Sequence, residues 1–393
     1  MHKLTFTPVS YTGWGCLNQL LPEVERFKAT NILIVTDPFL KELGIADKVQ
    51  QPLLLKGYAT TIYTDIAPEP PLAIGEKLVD FTRKHQFDLV IGLGGGSALD
   101  LAKLAAVLAV HDGKVADYLN LTGTKALEHK GLPKILIPTT SGTGSEVTNI
   151  SVLSLETTKD VVTHDYLLAD SAIVDPELTI SLPPKVTAAT GVDALTHAIE
   201  AYVSVNANEV TDALALQAIR LISGSIRTAV LEGENKQARS DMSYGSYLAG
   251  LAFFNAGVAG VHALAYPLGG QFHIAHGDSN AVLLPYVMGY IRQSCEKRMK
   301  DILDAMGLAS AYLSQEEASY KCVDALQQLV QDVNIPSTLK GFHIPEEALE
   351  QLTDDATKQT RILARSPMLL EREDIYAIYR AAFDGEVREP DES

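Results

Sequence analysis

The sequence predicts an α/β N-terminal half built on a mostly parallel sheet, followed by an all-helical C-terminal half. Three observations carry this. Apolar runs of strand length recur through the first half, amphipathic stretches of helix length separate them, and past about Pro183 only a 3.6-residue periodicity remains. The 393 residues exceed what one core usually spans, so two domains are expected, 1–182 and 183–393, divided at the Leu182-Pro183-Pro184 break.

The predicted strands are residues 32–36, 60–64, 88–93, 135–138 and 172–175. Between the first four, residues 38–55, 69–85 and 97–110 are long enough for crossover helices, and Asp37 before Pro38 and the Pro68-Glu69-Pro70-Pro71 run read as helix starts. In such sheets ligands bind beyond the carboxyl ends of the strands, so the residues just after each run matter most. In the second half the helical pattern is clearest at 188–203, 212–231, 239–253 and 374–383. Residues 248–261 are almost unbroken apolar sequence. Asn255 interrupts them and His262, Pro267, Gly269 and Gly270 soon follow, so they are read as a buried core helix, too short to span a bilayer.

Composition narrows the function. With 46% hydrophobic and 21% charged residues the chain buries a large core. Its 32 Lys+Arg against 49 Asp+Glu leave a net charge of −17, which repels phosphate backbones and anionic membranes, so neither nucleic acid nor a membrane is an expected partner. The N-terminal stretch lacks a leader pattern, and Cys16, Cys295 and Cys322 are odd in number and far apart. A reducing, cytoplasmic location without disulfides or a cysteine metal site is expected.

Two loops suggest phosphate binding. In the first, an apolar strand from Asp88 runs through Gly94, Gly95, Gly96 and Ser97 into a helix carrying Asp100 and Lys103, so bare backbone amides at a helix N-terminus can approach a pyrophosphate. It is neither G-x-G-x-x-G nor a P-loop. The second, Pro138-Thr139-Thr140-Ser141-Gly142-Thr143-Gly144-Ser145-Glu146, also follows an apolar strand and offers hydroxyls and amides to the same ligand or to a surface turn. Neither contains G-x-S-x-G, which removes the hydrolase elbow. Asp37, closing the first strand, reads equally as a ribose acceptor or as a helix N-cap.

A metal site is suggested by two clusters. Asp193 and His197 are four residues apart on a predicted helix and share a face. His262 and His276 are fourteen apart, which on one straight helix would be about 21 Å at ~1.5 Å per residue, too far for one ion. The chain must turn back, and Pro267, Gly269, Gly270 and Gly277 are the expected means. Three imidazoles and a carboxylate suit Fe²⁺ or Zn²⁺.

Taken together and in this order, Gly94-Gly-Gly-Ser97-x-x-Asp100, the loop from Thr139 to Glu146, Asp193-x-x-x-His197 and the run from His262 to His276-Gly277 resemble the iron-dependent, or group III, alcohol dehydrogenases over most of the chain. The resemblance implies an α/β nucleotide domain followed by a helical metal domain, the dehydroquinate synthase-like architecture, in a homodimer or larger homo-oligomer. It also implies NAD(H) and Fe²⁺, or Zn²⁺, as cofactors. Asp193, His197, His262 and His276 would then hold the metal. Gly94, Gly95, Gly96, Ser97, Asp100, Thr139, Thr140, Ser145 and Lys159 would line the cofactor site with Asp37 on the adenosine ribose, and Phe253 and Asn255 would border the substrate.

Two departures stand out. Many members have Pro-Asn-Pro where this chain has Pro68-Glu69-Pro70, and many have a further histidine where this chain has Tyr266. Tyr266, four residues after His262, is therefore a candidate proton relay beside His276, or a wall of the pocket. The implied reaction is hydride transfer between a small alcohol, activated by the metal, and the nicotinamide, with the aldehyde as its product. The rival expectations are a zinc enzyme of the glycerol dehydrogenase or dehydroquinate synthase kind, and a non-catalytic protein that binds metal and NAD.

Overall fold

The computed structural model describes residues 2–155 and 159–388. Two compact units emerge, one of Thr5–Ser181, the other of the residues from Leu182 onward together with the few before Thr5.

The first unit is an α/β sheet structure. Its strands are β1 (Ser10–Thr12), β2 (Asn31–Val35), β3 (Ala59–Tyr63), β4 (Leu89–Gly94), β5 (Lys134–Pro138), β6 (Ile150–Ser154), β7 (Lys159–Thr163) and β8 (Ser171–Val174). Its helices are α1 (Leu20–Phe27), α2 (Pro38–Glu42), α3 (Ile45–Leu55), α4 (Leu72–His85) and α5 (Gly96–Leu108). Six strands form one parallel sheet in the order β1-β8-β5-β4-β2-β3, while β6 and β7 make a separate antiparallel pair. Alternation sorts side chains to the two faces. Leu33, Val35, Val90 and Leu136 join the core under α4 and α5, whereas Ile32, Ile34, Ile91, Ile135 and Ile173 join the one under α1 and α3. Residues on both faces are apolar because helices cover both, as a parallel sheet requires.

The five expected strands are present, displaced by one residue at most of their ends. The expected helix 38–55 is two helices, because the chain turns at Gly44, whose φ of 73° suits glycine. The helix expected from 69 begins at Leu72, after Glu69 at φ 48° and two prolines that cannot donate. The edge strand β1 and the β6–β7 hairpin were not expected. β1 has only three residues, too few to show a period, and the hairpin strands alternate in burial without a long apolar run.

The second unit is helical: α6 (Pro184–Val203), α7 (Glu209–Leu231), α8 (Lys236–Ala256), α9 (Gly260–Phe272), α10 (His276–Ile291), α11 (Glu296–Ala305), α12 (Gln315–Asp332), α13 (Leu349–Ala356), α14 (Thr360–Leu363) and α15 (Arg372–Asp384). By length and composition α7 could cross a bilayer; its Ala215, Ala218, Ile219, Ile222 and Ile226 are fully buried in the helical core. The apolar stretch 248–261 is mostly buried, as expected, with Phe253, Phe254, Asn255 and Val258 half-buried, but it is not one helix. It breaks at Gly257, with φ 90°, and α8 and α9 diverge by 104° there.

The turn between His262 and His276 also differs from expectation. Pro267, Gly269 and Gly270 all lie inside α9, and the reversal is made at His273, whose φ of 54° ends that helix two residues before Ala275 caps α10. Gly277 has another role. A Cβ there would stand 2.2 Å from the carbonyl oxygen of Ala189, so the bare backbone lets α10 lie directly on α6. Gly277→Ala is expected to push the two helices apart, lowering the melting temperature by several degrees, on the scale of the ~1–3 kcal/mol that overpacking costs. Differential scanning fluorimetry checks this, and an unchanged melting temperature would show that the contact yields without strain.

Candidate functional site

Asp193 and His197 occupy successive turns of α6, His262 lies in the first turn of α9, and His276 is the first residue of α10. These three helices bring the four side chains together. One ligating atom each from Asp193, His262 and His276 lies within 4.8 Å of the others, and His197 Nε2 reaches the group 3.0 Å from His262 Nε2. Asp193 Oδ1 is 3.7 Å from both His262 Nε2 and His276 Nε2. Asp193, His197 and His262 are buried, whereas the His276 side chain is 28% exposed and marks the open side.

Burial alone would push the Asp193 carboxyl up, but the rings of His197, His276 and His262 and the Asn280 amide outweigh it and hold the carboxyl below its usual range. Asn280, one turn after His276 on α10, donates from Nδ2 to Asp193 Oδ1 at 2.7 Å and stands 3.2 Å from both His262 Nε2 and His276 Nε2. Its Oδ1 is buried without a hydrogen-bond partner. Glu200, the next acidic residue along α6, has Oε2 2.5 Å from His262 Nδ1.

This donor set fits a divalent cation. Ion pairs of Asp193 and Glu200 among the described residues are with histidine only, so the two buried carboxylates stand without a lysine or arginine. Imidazole nitrogens converge on the same space, and a cation there turns a costly group of buried acceptors into a ligand set.

Phe253, at the end of α8, stacks on His197 with ring centroids 4.3 Å apart and planes at 18°. Asn255 turns its amide back to the Leu251 carbonyl at 2.9 Å, just before the Gly257 break. Tyr266 is half-buried with its ring 5.9 Å from that of His276. Burial pushes its phenol above the ordinary value, so it holds its proton and offers an O–H.

In the first unit, β2 leads outward to β3 on one side and β4 leads to β5 on the other, so the order of connection reverses between β2 and β4. Such a reversal opens a crevice at the carboxyl ends, where nucleotides bind. Asp37 follows β2 and the glycine loop follows β4. Asp37 is an N-cap, since its Oδ1 accepts from the Leu40 amide at 2.9 Å, but its Oδ2 faces the loop, 3.6 Å from where a Cβ on Gly94 would lie.

The three glycines differ. Gly94 has φ 150°, and a Cβ there would meet Ala98 Cβ at 2.7 Å; a Cβ on Gly96 would meet Thr143 at 2.8 Å. Packing within the protein therefore explains both. Gly95 has an ordinary φ of −75°, and a Cβ there would meet nothing nearer than Thr140 at 3.5 Å. A glycine that the fold does not demand, at the N-terminus of a thirteen-residue helix, leaves room for a ligand such as a pyrophosphate.

The remaining residues expected at the cofactor have definite places. Thr139 donates its amide to the Gly94 carbonyl at 3.0 Å, binding the second loop to the first, with Thr140 beside Gly95. Ser97 Oγ accepts from the Glu69 amide at 3.1 Å, and the Glu69 carboxylate pairs with Lys159 at 3.0 Å. Asp100 and Ser145 are turned inward. Asp100 Oδ1 accepts from Ser145 Oγ at 2.6 Å and lies 2.8 Å from Lys103 Nζ, and its Oδ2 accepts from the Val152 amide at 3.0 Å. The pair braces the second loop against α5.

Sequence reasoning missed Glu200 and Asn280. Both were accessible to it, because Glu200 falls three residues after His197 and Asn280 four after His276, spacings that keep them on the same helix faces as those histidines.

A profile described as "Iron-containing alcohol dehydrogenase" matches residues 8–176, and one described as "Fe-containing alcohol dehydrogenase family, C-terminal" matches residues 187–383. The chain is 71% identical to "Long-chain-alcohol dehydrogenase 1" of Geobacillus thermodenitrificans (strain NG80-2), covering 99% of this chain and 98% of that one. Its fold matches a crystal structure of 1,3-propanediol oxidoreductase with a TM-score of 0.94 at 36% identity, over 98% of this chain and 100% of that one. It also matches sulfoacetaldehyde reductase from Bifidobacterium kashiwanohense in complex with NAD⁺, with a TM-score of 0.88 at 29% identity, over 97% and 98% of the two chains.

Glu146, in the second loop, is buried, and burial pushes its carboxyl from an ordinary 4.5 to about 7. Between those values the folded state keeps a proton that the unfolded state has lost, so stability falls as pH rises through this window, by up to roughly 3 kcal/mol. In Glu146→Gln this loss is absent. The variant's melting temperature relative to the unsubstituted protein is expected to climb from pH 4.5 to 7 and level off above, and a difference that stays flat with pH would refute the assignment.

Proposed function

Given that the chain belongs to the iron-containing alcohol dehydrogenase family and is an NAD-dependent alcohol dehydrogenase, we propose that its preferred substrates are long-chain primary alcohols and the matching aldehydes. The observation that carries the reading is the 71% identity, over almost the whole of both chains, to an enzyme of that name.

The residues present divide the work. Asp193, His197, His262 and His276 hold the iron, with His276 on the accessible side. When bound, the ion acts as a Lewis acid on the oxygen of the alcohol or aldehyde. Phe253, stacked on His197, and Asn255 border the substrate, and their setting beside the Gly257 break supports that role. Tyr266 offers its O–H toward this pocket from beside His276. In the first unit Gly95 leaves room for the pyrophosphate, while Gly94, Gly96, Ser97, Thr139 and Thr140 shape the loop, Lys159 adds a positive charge, and Asp100 and Ser145 hold the loop's form. Asp37 accepts the adenosine ribose hydroxyls through the oxygen not used in capping. The enzyme acts in the cytoplasm as a homodimer or larger assembly; the three cysteines are free, in keeping with a reducing compartment.

Anaerobic, Fe²⁺-loaded enzyme assayed with NAD⁺ on a series from ethanol to hexadecanol tests the substrate. A buried methylene contributes ~0.8 kcal/mol, so kcat/KM is expected to rise by up to roughly fourfold per carbon until the pocket ends. A maximum at ethanol or propanediol would favour the short-chain reading. Asp37→Asn tests the cofactor assignment, since asparagine keeps the cap on Leu40 and removes only the charge. It should weaken the preference for NAD⁺ over NADP⁺ at least tenfold without changing the melting temperature, and an unchanged ratio of kcat/KM values would leave Asp37 as a cap alone.

A further inference from the structure

Glu200 lies three residues after His197 and seven after Asp193, so the three share one stripe of α6, and it is 1% exposed. Both of its oxygens are engaged by neighbouring residues of another helix. Oε2 is 2.5 Å from His262 Nδ1, and Oε1 accepts the Val261 amide at 2.6 Å. The Val261 amide is one of the N-terminal donors that α9 leaves without an intrahelical acceptor, and the residue at the N-cap, Ala259, has no side chain that could take it. Glu200 thus caps α9 from α6.

The second bond has a chemical consequence. A carboxylate only accepts, so the ring nitrogen facing it, Nδ1, carries the hydrogen, and a neutral imidazole then has its lone pair on Nε2. His262 Nε2 is the atom that faces the cluster, 3.0 Å from His197 Nε2 and 3.7 Å from Asp193 Oδ1. We propose that Glu200 is a positioning residue of the metal centre, which fixes both the first turn of α9 and the tautomer of His262 so that the Nε2 lone pair is presented to the ion. The inference rests on the ligand set proposed above. It assigns to Glu200 a share in metal affinity that a simple helix cap would not have.

Glutamine separates the two roles. Its single carbonyl can accept from Val261 or from His262, and its NH₂ then presents a donor to the other. The experiment strips each protein with a chelator and measures Zn²⁺ affinity, as a redox-inert probe, by competition with a chromophoric chelator. Glu200→Gln, Glu200→Asp and His276→Ala are compared with the unsubstituted protein, and histidine side-chain ¹H–¹⁵N spectra are recorded on the zinc-loaded unsubstituted protein. Folded Glu200→Gln is expected to bind Zn²⁺ about 10–100-fold more weakly, with Glu200→Asp recovering part of the loss, and the spectrum should show His262 protonated at Nδ1 and unprotonated at Nε2. Weaker binding in His276→Ala together with full affinity in Glu200→Gln would overturn the role of Glu200 alone. Full affinity in both would overturn the ligand set. If Glu200→Gln does not fold, the spectrum still decides, because His262 unprotonated at Nδ1 would refute the tautomer assignment.

Discussion

The helical unit is organised around the burial of carboxylates. Asp193 and Glu200 are both almost fully buried, and the ion pairs they form among the described residues are with histidine. Removing a carboxylate from water costs several kcal/mol, and in most proteins a lysine or arginine offsets it. Here the polar groups supplied are imidazoles, the Asn280 side-chain amide and the Val261 backbone amide, on three different helices. The arrangement requires those helices to approach closely, and the sequence meets that need with small residues. Ala194 and Ala198 on α6, Ala263 and Ala265 on α9, and Ala281 on α10 are all buried, and Gly277 rests on the carbonyl of Ala189. A side chain at Gly277 would push α10 off α6 and separate the groups whose proximity makes the burial tolerable.

The sheet unit solves a different problem with similar means. Gly94 and Gly96 are needed so that α5 and the second loop can pack, and Asp100, Lys103 and Ser145 tie that loop down from inside. All of this leaves one residue, Gly95, unconstrained by its neighbours, at a helix N-terminus in the crevice where the strand order reverses. The contacts around it hold that bare backbone in one geometry. In Asp37 one oxygen fixes the start of α2 and the other faces the loop.

The fold class and the parallel strands were legible because buried parallel strands are continuous apolar runs, such as Leu89–Gly94, and the closeness of Asp193 and His197 was legible because they are one turn apart on one helix. What was not legible depended on contacts distant in sequence. Pro267, Gly269 and Gly270 carry turn propensity, yet they stay helical in α9, where Pro267 and Gly269 are buried, so tertiary packing overrode them and the reversal fell at His273. Residues 248–261 read as one helix because nothing local shows that Gly257 must adopt φ 90° with the side chain of Arg365 lying against it. Asp100 and Ser145 carry the polarity expected of ligand contacts, and only the structure reveals that they bond to each other.

Helix α6 shows how such cases can be separated. Residues 191–203 are all buried, so the helix has no solvent face and hydropathy no longer distinguishes one side from another. Each polar residue in this stretch must then find a partner inside the protein. Thr196 does so locally, donating to the Val192 carbonyl one turn back at 2.8 Å, and needs no other element. Asp193, His197 and Glu200 are joined instead to residues of α9 and α10, 61 to 87 positions away in sequence. A buried polar residue satisfied within its own helix costs little and specifies little. One satisfied across helices fixes their relative positions, and three such residues on one stripe define a site, because their partners must all converge on the same space.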